Sequence, residues 1–354
     1  MSPGRRARKS ANPVRPTAAR EPQIRSWNPR AVLQELDART IPAEKLLARH
    51  GFTRAELEDP EGWAPLRRHN AFFGAAVEAS GDPAFGFAVG ARIPYQATGV
   101  VGHCAALSRD VREAWETWSR FSDLVVDDTE YGVRSTPEFD AIFFKRPPAL
   151  RPLPLDGQSF AACVVAGLRE MIGPLNPVEL LLTGPEPRSS SALLEKAFGA
   201  PIHYGAEQVE LRLPPGTLDR PMRFASPGTR AILVAAAERE LAKRRGRRNL
   251  DRVRAAILSI GLDRRPTAQE VAGSLETTVR TLQRWLADES LTFSAVLGDT
   301  IQEAAVGMLR EQGLPVADVY RRLGFSSRNA FRRAIRRWTG KTPEELQRPG
   351  RSPR

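Results

Sequence analysis

The sequence predicts an α+β domain over residues 26–240, followed over 241–346 by an all-α domain of two helix-turn-helix units joined by a long helix. Three observations carry that fold class. Helical and strand periodicities alternate through the first two thirds of the chain, strand signals stop near residue 241, and one helix–turn–helix pattern then occurs twice, about fifty residues apart.

The elements follow in order. Residues 1–25 are rich in Arg, Pro, Ser and Ala and are expected to be a disordered basic tail. "AVLQELDA" and "PAEKLLARHGF" are helical, the second ending at Gly51. "APLRRHNAFFGAAVEAS" and "SRDVREAWETWSRFSDLV" are amphipathic helices, the latter with Ser108 as its expected N-cap. "TEYGVRS" and "EFDAIFFKR" form a strand pair across a Thr-Pro turn. A helix over "GQSFAACVVAGLREMIG", a strand in "PVELLLTG", a helix over "SSALLEKAF" and a two-strand region in "PIHYGAEQVELRLP" complete the first domain. The basic, glycine-interrupted run "LAKRRGRRN" marks the boundary near 241, and "LDRVRAAILSIG" opens the helical domain. Residues 347–354 are expected to be a disordered tail.

The first helix-turn-helix lies in "TAQEVAGSLETTVRTLQRWL", with Val271, Leu275, Val279, Leu282 and Leu286 as its apolar set. Pro266 and Thr267 start its first helix and Thr278 caps its second. The other unit, "PVADVYRRLGFSSRNAFRRAIRRW", supplies Val316, Val319, Leu323, Phe325, Phe331, Ile335 and Trp338, with Gly324 at the turn and Ser326 or Ser327 as the cap. "FSAVLGDTIQEAAVGMLREQG" is the long connector. Phe331, Ile335 and Trp338 stand at i, i+4 and i+7 and form a buried stripe, so Arg328, Arg332, Arg333, Arg336 and Arg337 occupy the other faces.

Those arginines are either a solvated helix face or a surface for a polyanion. Charge location favours the second. Of a net +12, residues 241–354 hold 23 Lys+Arg against 12 Asp+Glu, residues 1–25 hold 7 against 1, and residues 26–240 hold 23 against 28. A basic domain beside a mildly acidic one is the footprint of a nucleic-acid partner. An arginine on a groove-facing helix makes paired hydrogen bonds to guanine O6 and N7, while others hold phosphates and set register.

From "VRTLQRWL", from "LGFSSRNAFRRAIRRWTGKTPEEL" and from their separation, the C-terminal hundred residues resemble the AraC/XylS-type transcriptional regulators. The middle region resembles the arabinose-binding-like effector domain of one branch of that family, through "LLARHGF", "GVVGHCAALS" and "KAFGAPIHYGAEQVELRLPPGTLDRPM". The resemblance covers roughly residues 30 to 346. It implies a cytoplasmic bacterial regulator that binds double-stranded promoter DNA, answers to a small-molecule effector, and aids or blocks RNA polymerase, with a homodimer left open. Carried onto matching positions, it makes Arg280, Gln283 and Arg284 base readers in the first unit, and Arg328, Asn329, Arg332 and Arg333 in the second. Thr278 and Ser327 at the helix starts, with Arg336 and Lys341, complete the expected DNA-binding set. The sequence departs from the family at Ser290, where a glycine is usual, at Ile301 and at Tyr320. Glu276 brings negative charge to the first turn, so the first unit is expected to bind DNA less tightly than the second.

Other classes find less support. No apolar run is long enough to span a membrane, and the basic N-terminus has no apolar segment after it. Cys104 and Cys163 are too few for a disulfide framework, which suits a reducing cytoplasm. His50, His69, His103 and His203 are scattered without ligand spacing, so no metal, no cofactor and no enzyme are expected, and each histidine is expected to be structural. The alternative is a small-molecule-binding or enzymatic domain tethered to DNA by a non-specific basic domain, and a third option is an effector-independent architectural binder. Phe85, Tyr95, Trp115, Trp118 and Tyr204 are as suited to a core as to a pocket, and none is assigned to a site.

Overall fold

A computed structural model describes residues 21–150, 152–186 and 191–347, and the remaining parts of both predicted tails lie outside them. The chain divides into two compact units, one over residues 21–244 and one beginning at Arg245.

The unit over 21–244 begins with strand β1 (Gln23–Arg25), paired antiparallel with β2 (Trp63–Pro65). This corrects the expectation of disorder to residue 25. Three residues are too few to show an alternating pattern, but Ile24 is buried, and the Arg25 guanidinium bonds the Leu124 carbonyl at 2.9 Å and lies 4.5 Å from the Trp63 ring. Helices α1 (Trp27–Ala38), α2 (Glu44–Arg49), α3 (Arg54–Glu58), α4 (Leu66–Ser80), α5 (Phe85–Ala91) and α6 (Gly99–Ala106) follow. They supply much of a core built on Val32, Leu36, Leu66, Phe72, Phe85 and Cys104. Helix α7 (Val111–Arg120) is capped by Asp110, whose carboxylate accepts the Glu113 N–H at 2.8 Å. The expected cap, Ser108, is instead buried and donates its hydroxyl to the Cys104 carbonyl. Asp110 has the extended backbone that a cap needs, directly before the first helical residue.

A second core surrounds the sheet. Strands β3 (Glu130–Ser135), β4 (Asp140–Lys145), β5 (Glu179–Leu181), β6 (Ile202–His203) and β7 (Val209–Leu213) stand in the order β3-β4-β7-β5-β6. All pairs are antiparallel except β5 with β6. The region expected to hold two strands supplies β6 and β7, but β5 separates them. Helix α9 (Ser191–Phe198) lies between β5 and β6 in the chain and lets β6 return parallel to β5. Helix α8 (Pro154–Ile172) lies against the sheet at Gly157 and against α5 at Gly90. The approach at Gly90 is close: a Cβ there would stand 2.0 Å from the Ser159 carbonyl oxygen.

Helix α10 (Pro227–Ile260) runs through the predicted break at "LAKRRGRRN", and the units divide between Arg244 and Arg245. One helical glycine costs about 1 kcal/mol relative to alanine, which a 34-residue helix absorbs at Gly246.

The unit from 245 onward holds α11 (Ala268–Ser274), α12 (Val279–Asp288), α13 (Phe293–Arg310), α14 (Val316–Arg322), α15 (Arg328–Thr339) and α16 (Pro343–Gln347). Thr267, Thr278, Thr292 and Ser327 each cap a helix by accepting a backbone N–H, and Thr267 forms a reciprocal capping box with Glu270. Both helix-turn-helix units share one core: Leu282 and Leu286 from the first, Phe331 and Ile335 from the second, and Val296 and Leu309 from the connector between them. Gly324 turns the second unit at φ +65°, where a Cβ would meet the Asp263 carbonyl oxygen at 2.4 Å. Ser290 has φ +57°, a left-handed conformation that explains why glycine suits that position. Helix α16 was not among the predicted elements.

Candidate nucleic-acid interface and ligand cavity

Helix α12 presents Thr278, Arg280, Gln283 and Arg284 to solvent and buries Leu282 and Leu286. Helix α15 presents Ser327, Arg328, Asn329, Arg332, Arg333 and Arg336 and buries Phe331, Ala334 and Ile335. Lys341 is exposed just beyond the left-handed C-cap at Gly340. All eleven predicted residues are therefore solvent-facing, ten of them on or at the start of the second helix of each unit. Thr278 and Ser327 also act as caps: their hydroxyls accept the N–H of Thr281 at 3.1 Å and of Ala330 at 3.2 Å. Trp338 packs on the core side, its ring 6.2 Å from Phe325, and does not offer a stacking platform to a base.

Glu344 at the start of α16 is the residue that sequence reasoning missed. Its two carboxylate oxygens accept from Arg328 at 3.0 Å and Arg332 at 3.2 Å. Partial burial works to raise the Glu344 pKa, but its hydrogen bonds and the two arginines hold it below the usual carboxylate range. The pairing ties two expected base readers together from outside their own helix. Its sequence separation of 12 and 16 residues hides it from helical periodicity. Glu276 sits exposed at the first turn with φ +52°.

The unit over 21–244 holds a partly open cavity of about 160 Å³ between its two cores. Of the aromatic residues considered from sequence, Tyr95, Trp115 and Trp118 line it, whereas Phe85 belongs to the surrounding core and Tyr204 packs at the edge of the sheet core. Arg146, Asp156 and His69 add polar groups. Arg146 and Asp156 form an ion pair at 3.4 Å with both side chains buried. His69 is also buried, and its Nδ1 has no hydrogen-bond partner among the described residues.

Burial outweighs the nearby Asp156 charge and pushes the His69 pKa down to about 4. The unfolded chain, with a histidine pKa near 6.5, takes up the proton more readily than the folded one. This contribution to stability is complete above about pH 6.5 and falls as pH drops through that value toward 4, by about 2 kcal/mol at pH 5. Urea titrations at pH 7 and pH 5 should show this loss in the wild type, and it should shrink in His69→Phe. Equal slopes in both proteins would show that His69 accepts a proton in the folded state.

A basic helical unit with two outward-facing second helices, following an α+β unit that holds a largely apolar cavity, defines a DNA-binding regulator with a ligand-binding domain. The comparisons agree. The family described as the arabinose-binding domain of AraC transcription regulator, N-terminal, matches residues 41–222, and a helix-turn-helix domain family matches 271–349. The chain belongs to the AraC-type transcriptional regulators. It is 28% identical over 308 residues to the ornithine utilization regulator of Pseudomonas aeruginosa, covering 82% of this chain and 86% of that one. It is 26% identical over 336 residues to an uncharacterized HTH-type transcriptional regulator of Mycobacterium tuberculosis, covering 91% and 95%. The crystal structure of the transcriptional regulator CdpR from Pseudomonas aeruginosa aligns with a TM-score of 0.45 at 22% identity, over 90% of this chain and 96% of that one. The protein is thus a sequence-specific DNA-binding transcriptional regulator with an effector-binding N-terminal domain. Among the described residues no helix is long and apolar enough to cross a membrane.

Proposed function

We propose that α12 and α15 enter successive major-groove segments of a bipartite promoter site. Arg280, Gln283 and Arg284, together with Arg328, Asn329, Arg332 and Arg333, read bases, while Arg336, Lys341 and the capped helix starts at Thr278 and Ser327 hold phosphates. The observation that carries this reading is the segregation on α15: Phe331 and Ile335 are fully buried while Arg328, Asn329, Arg332, Arg333 and Arg336 are all exposed. Glu276 weakens the first unit's attraction to phosphate. The protein works in the cytoplasm by binding rather than by catalysis. Occupancy of the 21–244 unit, alone or as a homodimer, governs the DNA complex and its contact with RNA polymerase.

Selection of a random duplex pool on the full chain, followed by titrations over a salt series, tests this. Two enriched motifs about one helical turn apart are expected. Salt-sensitive binding with no enriched motif would leave only a non-specific tether. On the selected duplex, Arg333→Ala should cost about 1–3 kcal/mol and relax preference at one base pair, whereas Arg336→Ala should weaken all sequences alike and flatten the salt dependence. A uniform loss in Arg333→Ala would make Arg333 a phosphate contact.

A further inference from the structure

Building on the reading of the 21–244 unit as an effector domain, we propose that its cavity takes an uncharged, planar aromatic molecule of one or two rings, oriented by one hydrogen bond to His69. Size sets the first limit. A closed apolar cavity of about 150 Å³ holds benzene; the present one measures about 160 Å³ and is partly open, which accommodates one ring within it and a second toward its mouth. Its aromatic wall sets the shape. The rings of Trp115 and Phe160 lie 5.9 Å apart at 70°, and those of Phe144 and Phe160 4.9 Å apart at 65°. A flat guest can continue such edge-to-face packing, and a puckered aliphatic ring of the same volume cannot.

Charge sets the last limit. Arg146 is the one cation among the lining residues, apart from the low-pKa His69, and it is already engaged. Its Nη1 faces Asp156 at 3.4 Å and its Nε donates to the Thr129 hydroxyl at 3.0 Å. A carboxylate entering here would meet Asp156, and an ammonium would meet Arg146, each after losing its hydration. Burial raises the Tyr131 hydroxyl and the Cys163 thiol to about 12, so both remain neutral. Two lining groups lack a hydrogen-bond partner among the described residues, the Nδ1 of His69 and the Nε1–H of Trp118. A guest hydroxyl can donate to the first and accept from the second, and a ring N–H can donate to the first.

The test uses the full chain and six probes: phenol, toluene, indole, cyclohexanol, benzoate and lysine, followed by calorimetry and by melting temperature. Phenol and indole should bind at least tenfold more tightly than cyclohexanol, with benzoate and lysine weaker still. His69→Phe should reduce the preference for phenol over toluene by roughly three- to tenfold. Gly167→Leu supplies a control on the cavity itself. Gly167 lines the cavity from within α8, and a Cβ there would meet nothing within 4 Å. The variant should melt no lower than wild type and lose at least tenfold in phenol affinity. Equal binding of cyclohexanol, tighter binding of benzoate or lysine, or no binding of any aromatic probe would overturn the proposal. So would unchanged phenol binding by a folded Gly167→Leu. DNA titration with and without each probe separates the two ideas. Phenol binding that leaves DNA affinity unchanged supports the ligand class and counts against the effector reading. A DNA response to lysine without aromatic binding does the reverse.

Discussion

Phe331→Ala is expected to cost the C-terminal unit about 3–5 kcal/mol, a large part of a domain's usual stability. Phe331 is fully buried and packs edge-on to Phe325, with ring centroids 5.2 Å apart. Truncation removes the transfer energy of the ring and leaves a cavity beneath α15, in a core that Phe331 shares with Val319, Leu323 and Ile335. Denaturant unfolding of the full chain, followed by a probe in the C-terminal unit, checks the magnitude. Because both helix-turn-helix units share this core through α13, specific DNA binding through both half-sites should fall together. A loss below about 1 kcal/mol would mean that the site collapses freely and that the shared core does not set the position of α15. Arg333→Ala makes the contrast: it should damage recognition while leaving the unfolding curve in place, since Arg333 is exposed.

The C-terminal unit was legible in the sequence because its determinants are local. The spacing of Phe331, Ile335 and Trp338 gives the buried face, and Thr267, Thr278 and Ser327 each cap the helix that directly follows. The turn of the second unit was readable from Gly324, whose backbone needs what glycine provides. What escaped depends on distance along the chain. The Glu344 clamp reaches back to another helix, β1 is stabilised by a partner strand forty residues away, and "LAKRRGRRN" looks like a linker although it continues α10. The cavity is the extreme case. His69, Trp115, Arg146 and Phe160 come from four separate elements or loops, and no spacing distinguishes a tryptophan that lines a cavity from one that fills a core.

Asp156→Ala is expected to destabilise the 21–244 unit by about 3–5 kcal/mol, chiefly because it leaves a buried guanidinium without its counter-charge. Asp156 Oδ2 is 3.4 Å from Arg146 Nη1 and also accepts the Leu153 N–H at 2.9 Å, so the substitution removes an ion-pair partner and a cap of α8 together. Arg146 would keep its bond to the Thr129 hydroxyl and its place 5.3 Å from the Phe144 ring, neither of which neutralises it. A double substitution separates these causes. Arg146→Met with Asp156→Leu removes both charges and replaces them with apolar volume, and should recover most of the loss, short of about 1 kcal/mol for the missing cap. If the double variant is as unstable as the single one, the cap and not the charge dominates. The same pair of variants carries a consequence for binding. Asp156→Ala leaves a net positive charge at the cavity wall and should shift the ligand preference from phenol toward benzoate, whereas the double variant, neutral like the wild type, should keep it on phenol.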